Sequence, residues 1–167
     1  MTTTRSVAVG TVLIVALAVL IGMLVRFTPV DTGRPDDAGR LELRMVGFQY
    51  QPDVLYLRAG TDVTLVLINE DEVVHDLWIG RAAFEESGVL RHREPFFADG
   101  DVRVVPASAR YERDGTVGAR IAPGRTVEMR FRVGPEHVGE WSVDCFTGAG
   151  CHGRAGLAAT LIVEPAR

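Results

Sequence analysis

The 167-residue chain has little cysteine. Its two residues, Cys145 and Cys151, are too few for a disulfide-rich scaffold. Positive charge is not in excess: 18 basic against 22 acidic residues give a formal net charge of −4, a balance that gives no argument for nucleic-acid binding. No nucleophile–base pair, phosphate-binding loop or carboxylate pair stands out, which argues against an enzyme. Internal repeats are lacking too, and past residue 40 no helical pattern alternates regularly with the strand-like runs, so a parallel α/β fold is excluded.

The chain does carry one long apolar run. Val7 to Val25 (VAVGTVLIVALAVLIGMLV) has no charge and is flanked by Arg5 and Arg26. At about 1.5 Å per residue its helix would measure roughly 28 Å, close to the thickness of a hydrocarbon core. A cleaved signal peptide is the alternative, but the run exceeds the roughly 7–15 apolar residues of such peptides, and no A-x-A-like site comes after it. Residues 1–27 are therefore expected to be an uncleaved transmembrane anchor. Under both readings the remainder of the chain is exported, so residues 28–167 are expected on the extracytoplasmic side, periplasmic or cell-surface. Residues 28–40, with TPVDTGRPDDAG at their head, read as a flexible linker.

From Leu41 the pattern has period two. Leu41, Leu43 and Met45 share one face, with Glu42 and Arg44 opposite, and Val63, Leu65 and Leu67 repeat this after the turn at Gly60. Val127, Met129, Phe131 and Val133 alternate with Glu128, Arg130 and Arg132. Trp141, Val143 and Cys145 continue the style, and Leu157 to Val163 reads as a closing apolar strand. Short strands separated by turn signals predict an all-β sandwich over residues 41–165. Residues 80–120 interrupt it as a long loop insertion, in which Arg81–Ser87 could form two helical turns and Asp114-Gly115 reads as a hairpin turn.

Chemistry concentrates at the strand ends. His75 comes soon after the strand Asp62–Ile68, Cys145 ends the strand opening at Trp141, and His152 lies seven residues further in a glycine-rich loop. Two imidazoles and a thiolate form a trigonal set suited to copper and to electron transfer. Leu41 to Val163, with Gly80 to Arg120 unmatched, resembles the cupredoxins, the small blue (type 1) copper proteins such as plastocyanin and azurin. Phe48 to Asn69 (FQYQPDVLYLRAGTDVTLVLIN) is similar to the family's F-x-x-x-P-x-x-I-x-V-x-x-G-x-x-V-x-L-x-x-x-N; Asn69 is followed by His75-Asp76; and PEHVGEWSVDC, from Pro135, is similar to P-G-x-Y-x-Y-x-C. The resemblance implies an eight-stranded Greek-key sandwich and one copper ion on His75, Cys145 and His152, with the Val74 carbonyl as a distant axial oxygen.

The ligand loop departs from the family's C-x-x-P-G-H-x-x-x-G-M-x-G-T-L. Leu157 stands where the axial Met belongs, Cys151 replaces the Gly before His152, and the Cys145–His152 interval is two residues longer. A hydrocarbon at 157 removes a weak donor to Cu(II) and predicts a raised reduction potential; a plain core role is the alternative. Cys151 leaves three readings open: a bystander or additional ligand, a Cys145–Cys151 disulfide in a metal-free module, or a dinuclear centre like CuA of cytochrome oxidase subunit II, whose C-x-x-x-C-x-x-x-H-x-x-M spacing this chain does not match.

His92 and His137 read as exposed, and Trp78 and Trp141 as core. Asp76 is a candidate to hydrogen-bond nearby backbone and steady His75. Glu70-Asp71-Glu72 reads as a solvated turn that could also steer a basic redox partner. The expected function is an anchored one-electron carrier, with a copper acceptor or delivery domain and the disulfide-stapled module as alternatives.

Overall fold

The computed structural model describes residues 32–98, 100–148 and 151–167, without the side chains of Cys151 and Arg154. The anchor expected over residues 1–27 lies outside them. Among the described residues no helix is long and apolar enough to cross a membrane.

Two sheets make the fold. One holds, in order, β1 (Thr32–Gly33), β4 (Val54–Arg58), β13 (Ala158–Glu164), β12 (Gly139–Asp144), β6 (His75–Glu86), β10 (Thr116–Ile121) and β9 (Arg110–Arg113), with β7 (Val89–Pro95) paired to β6 alone. The other runs β3 (Gln49–Gln51), β2 (Arg40–Val46), β5 (Asp62–Asn69), β11 (Thr126–Arg132) and β8 (Val102–Val105). Strands far apart in sequence run parallel, β4 with β13 and β2 with β5, while β12 lies antiparallel to both β13 and β6.

Alternation of apolar and polar residues explains which face each strand buries. Leu41, Leu43 and Met45 of β2 point inward, as do Val127, Met129 and Phe131 of β11. Each such side chain stabilises by about 1.5–3 kcal/mol relative to exposure. Trp141, Val143 and Cys145 line the same core from β12 and its end, and Leu157 closes it. The all-β sandwich expected from the sequence is the observed architecture.

The 80–120 region differs from the loop the sequence suggests. The Arg81–Ser87 stretch is strand, not helix: β6 runs on to Glu86 and pairs antiparallel with β7, Phe84 opposite Arg91 and Ala83 opposite His92. Ser87 and Gly88 turn the hairpin with φ of +52° and +77°, the two-residue turn whose twist suits paired strands. Cross-strand pairing thus overrides the local helix preference of Ala and Glu. Asp114 and Gly115, at +51° and +74°, make the predicted hairpin turn between β9 and β10. Within the expected linker, Thr32 and Gly33 instead pair in parallel with β4, and Arg34 binds Glu164 through both its terminal nitrogens, at 2.9 and 3.2 Å. The alternation signal misses so short an edge strand.

Candidate metal centre

The sheet order places the donors. β12 and β6 are antiparallel neighbours with Asp144 opposite Trp78, so the chain leaving β12 at Cys145 passes the start of β6 at His75. After Cys145 it turns into α1 (Cys151–Arg154), a single turn carrying His152. The His152 carbonyl accepts the N–H groups of Ala155 and Leu157, both at 3.1 Å, which folds the loop back to β13. Gly156 serves that reversal at φ +119°, a conformation side chains rarely adopt.

His75, Cys145 and His152 converge. His75 Nδ1 lies 3.1 Å from His152 Nδ1, and Cys145 Sγ lies 3.9 Å and 3.8 Å from those two nitrogens. A point equidistant from these three atoms is about 2.1 Å from each, close to metal–imidazole bonds of about 2.0–2.1 Å and metal–thiolate bonds of about 2.3 Å. The residues present therefore fit one ion held by two imidazoles and a thiolate. His75 and Cys145 are fully buried and His152 is half-buried.

Cys145 is a free thiol, so the Cys145–Cys151 disulfide considered from the sequence is not formed. The Cys151 side chain lies outside the described atoms. The Cys145 thiol is pushed up to about 11, first by burial and then by the charge of Asp76; the backbone N–H groups of Asp76 and Thr147 work against this. At neutral pH an incoming cation must displace that proton. Burial, then the adjacent His75 ring, lowers the His152 pKa and keeps its imidazole neutral, the form that ligates.

Polar groups around the donors are satisfied by partners distant in sequence. Asp76, buried, accepts the N–H groups of Phe146 at 2.6 Å and Thr147 at 3.2 Å, while its own N–H points to Cys145 Sγ at 3.4 Å. The backbone role expected for Asp76 is present, directed at the cysteine loop rather than its own. Asn69 is buried and donates to the carbonyls of Val73 at 2.8 Å and Ile121 at 2.9 Å, which pins the loop before His75. Leu157 is fully buried in the core next to the ligand loop.

Two histidines need correction. His137 is buried rather than exposed: Nδ1 accepts the Gly134 N–H at 3.0 Å, Nε2 faces the Phe96 carbonyl at 3.1 Å, and the ring stacks on Phe96 at 4.0 Å. His92 is buried too, with Nε2 2.8 Å from Asp144 Oδ2. Neither joins the metal set. In both cases charged or turn-forming sequence neighbours hide a tertiary pocket. Trp78 and Trp141 are buried, as expected.

Sequence reasoning missed Asp71 and Phe48. Asp71 Oδ2 lies 2.9 Å from His75 Nε2. Burial pushes the Asp71 carboxyl up, but the N–H groups of Phe48 and Gly47 and the His75 ring outweigh it and hold it below its ordinary value. The Phe48 ring stands edge-on to both ligand imidazoles, 5.5 Å from His75 and 5.1 Å from His152 between centroids. The i,i+4 spacing of Asp71 and His75 was the available signal for the first.

Neither a protein-family model nor a curated relative matches the sequence. Among solved structures, reduced auracyanin from the photosynthetic bacterium Roseiflexus castenholzii is 14% identical with a TM-score of 0.51, over 76% of this chain and 98% of that one. Auracyanin B (20% identity, TM-score 0.49, 75% of this chain and 88% of that one) and reduced rusticyanin (14%, 0.49, 83% and 87%) are also similar. The similarity concerns architecture, and by it the described part of this chain has the cupredoxin fold.

Proposed function

We propose that the protein is a copper-binding one-electron carrier, anchored to a membrane by residues 1–27, with its sandwich on the extracytoplasmic side. One observation carries the copper reading: a thiol and two imidazole nitrogens, from three separate segments, lie within 3.9 Å of one another at one end of the sandwich. Soft sulfur with imidazole favours copper among the available metals. Copper, when bound, would supply a one-electron Cu(II)/Cu(I) couple.

The chain's own residues supply the rest. His75 and Cys145 are sealed from water, and Asn69 and Asp76 tie their two loops to neighbouring strands, so the donors hold one geometry in both oxidation states. That rigidity keeps reorganisation small, which suits rapid transfer. His152, half-buried, is the ligand nearest a surface that a redox partner protein could approach. Leu157, buried in the core, stands in the sequence where the family's axial Met belongs; a hydrocarbon there would give a bound copper no donor and would favour Cu(I).

The test is addition of Cu(II) to the purified full-length protein, with a visible spectrum and a thiol count. An intense thiolate-to-copper band, reversibly bleached by one electron per protein, is expected. Colourless binding of Cu(I) alone would replace the carrier with a copper acceptor or delivery domain. No binding of either ion would end the copper reading.

A further inference from the structure

Asp71 belongs to an acidic run whose other members are exposed: Glu70 pairs with Arg44 at the surface, and Glu72 is exposed. Asp71 instead turns inward. Its N–H is held by Asn69 Oδ1 at 3.0 Å, and its carboxylate makes three contacts. Oδ2 meets His75 Nε2 at 2.9 Å and the Phe48 N–H at 3.1 Å, while Oδ1 accepts the Gly47 N–H at 2.6 Å.

The turn it grips is unusual. Gly47 and Phe48 have φ of +59° and +61°. A bulky residue in the left-handed region is a true outlier and persists only where its surroundings hold it there. Here the conformation stands the Phe48 ring against both ligand imidazoles, at interplanar angles of 85° and 88°. A single carboxylate thus connects a ligand ring and the aromatic group that covers it.

We propose that Asp71 is a positioning residue of the metal centre: by accepting a hydrogen bond from His75 Nε2 it fixes the tautomer that leaves Nδ1 free, and its charge shifts the site toward Cu(II). The second half rests on the copper reading above; the first does not. A carboxylate on the outer nitrogen of a ligating histidine orients the ring and raises its basicity. A nearby negative charge stabilises the more highly charged ion.

Asp71→Ala and Asp71→Asn in the full-length protein test this, with Glu70→Gln and Glu72→Gln as charge controls. Without copper, nitrogen-15 NMR of the histidine rings should find His75 protonated on Nε2 in the wild type and a tautomer mixture in Asp71→Ala. With copper, Asp71→Ala should lose about 10- to 100-fold in Cu(II) affinity. Asp71→Asn should raise the reduction potential, by about 59 mV for each tenfold loss of Cu(II) over Cu(I) affinity, and both controls should move it less. An unchanged His75 tautomer in Asp71→Ala overturns the positioning role. A shift in Asp71→Asn no larger than in Glu72→Gln overturns the electrostatic one. Failure of the wild type to take up copper would sink the proposed function, together with the electrostatic half, and leave the tautomer measurement to decide the positioning role.

Discussion

The two ends of β13 contrast sharply. Just before its first residue, Leu157 is fully buried in the core, beside the loop that carries Cys145 and His152. At its finish, half-buried Glu164 lies at the surface between Arg34 at 2.9 Å and Arg58 at 3.0 Å. Both ends hold polar groups from distant segments, yet the same chemistry has different worth. Exposed ion pairs contribute little, because water already solvates each partner. Buried polar groups left unpaired cost about 1–3 kcal/mol each, so each must be matched. The contrast predicts that substitutions at the donor end change both function and stability, whereas those at the far end change little.

The largest effect belongs to Cys145→Ser. It replaces the soft donor by a hard one of similar size, and the intense visible band of the copper-loaded protein should vanish while the far-ultraviolet circular dichroism stays that of a β-sandwich. Retention of the band would move the thiolate elsewhere and break the contrast at its root.

Asn69→Ala comes next. It removes both donors that satisfy the Val73 and Ile121 carbonyls. A loss of about 2–3 kcal/mol in urea-unfolding stability is expected, with weaker copper retention as the His75 loop loosens. A change below about 0.5 kcal/mol would show that water replaces the amide and that the pole is wetter than its burial implies.

Leu157→Met sharpens the comparison from within the buried end. The two side chains have similar volume, so the stability cost should stay under about 1.5 kcal/mol. The added thioether should lower the reduction potential relative to wild type. An unaltered potential would make Leu157 an ordinary core residue.

The smallest effect is expected at the exposed end. Hydrogen bonds from Arg34, then Arg58, hold the Glu164 carboxyl down at about 2, against an ordinary value of 4.5. A depressed carboxyl contributes its stability above about pH 4.5 and loses it as the pH falls through about 2. The melting temperature of Glu164→Gln should therefore lie slightly below that of wild type at pH 6, and the gap should close toward pH 2. A gap that widens in acid would reverse the assignment.

Much of this was legible in sequence for a physical reason. Period-two alternation, as in Thr126 to Val133, is imposed by the geometry of a strand with one buried face, so it betrays the sheet directly. His75, Cys145 and His152 were legible from residue chemistry and recognisable spacing, with His75 opening β6, Cys145 following β12 and His152 seven residues further on. The β6–β7 hairpin was not, because Arg81–Ser87 carries residues that favour helix, and only pairing with β7 decides otherwise. His92, His137 and Phe48 were misread or passed over because the groups they meet lie far along the chain; Asp71, though only four residues from His75, was hidden in an acidic run that reads as a solvated turn.

The sequence by itself determined the architecture class and singled out three candidate donors, because alternation and residue chemistry are local properties. Only the tertiary structure decided that the three donor atoms share one point, that Cys145 remains a thiol, and that one aspartate of an acidic turn faces inward. Those are facts of distance between segments that the chain brings together only on folding.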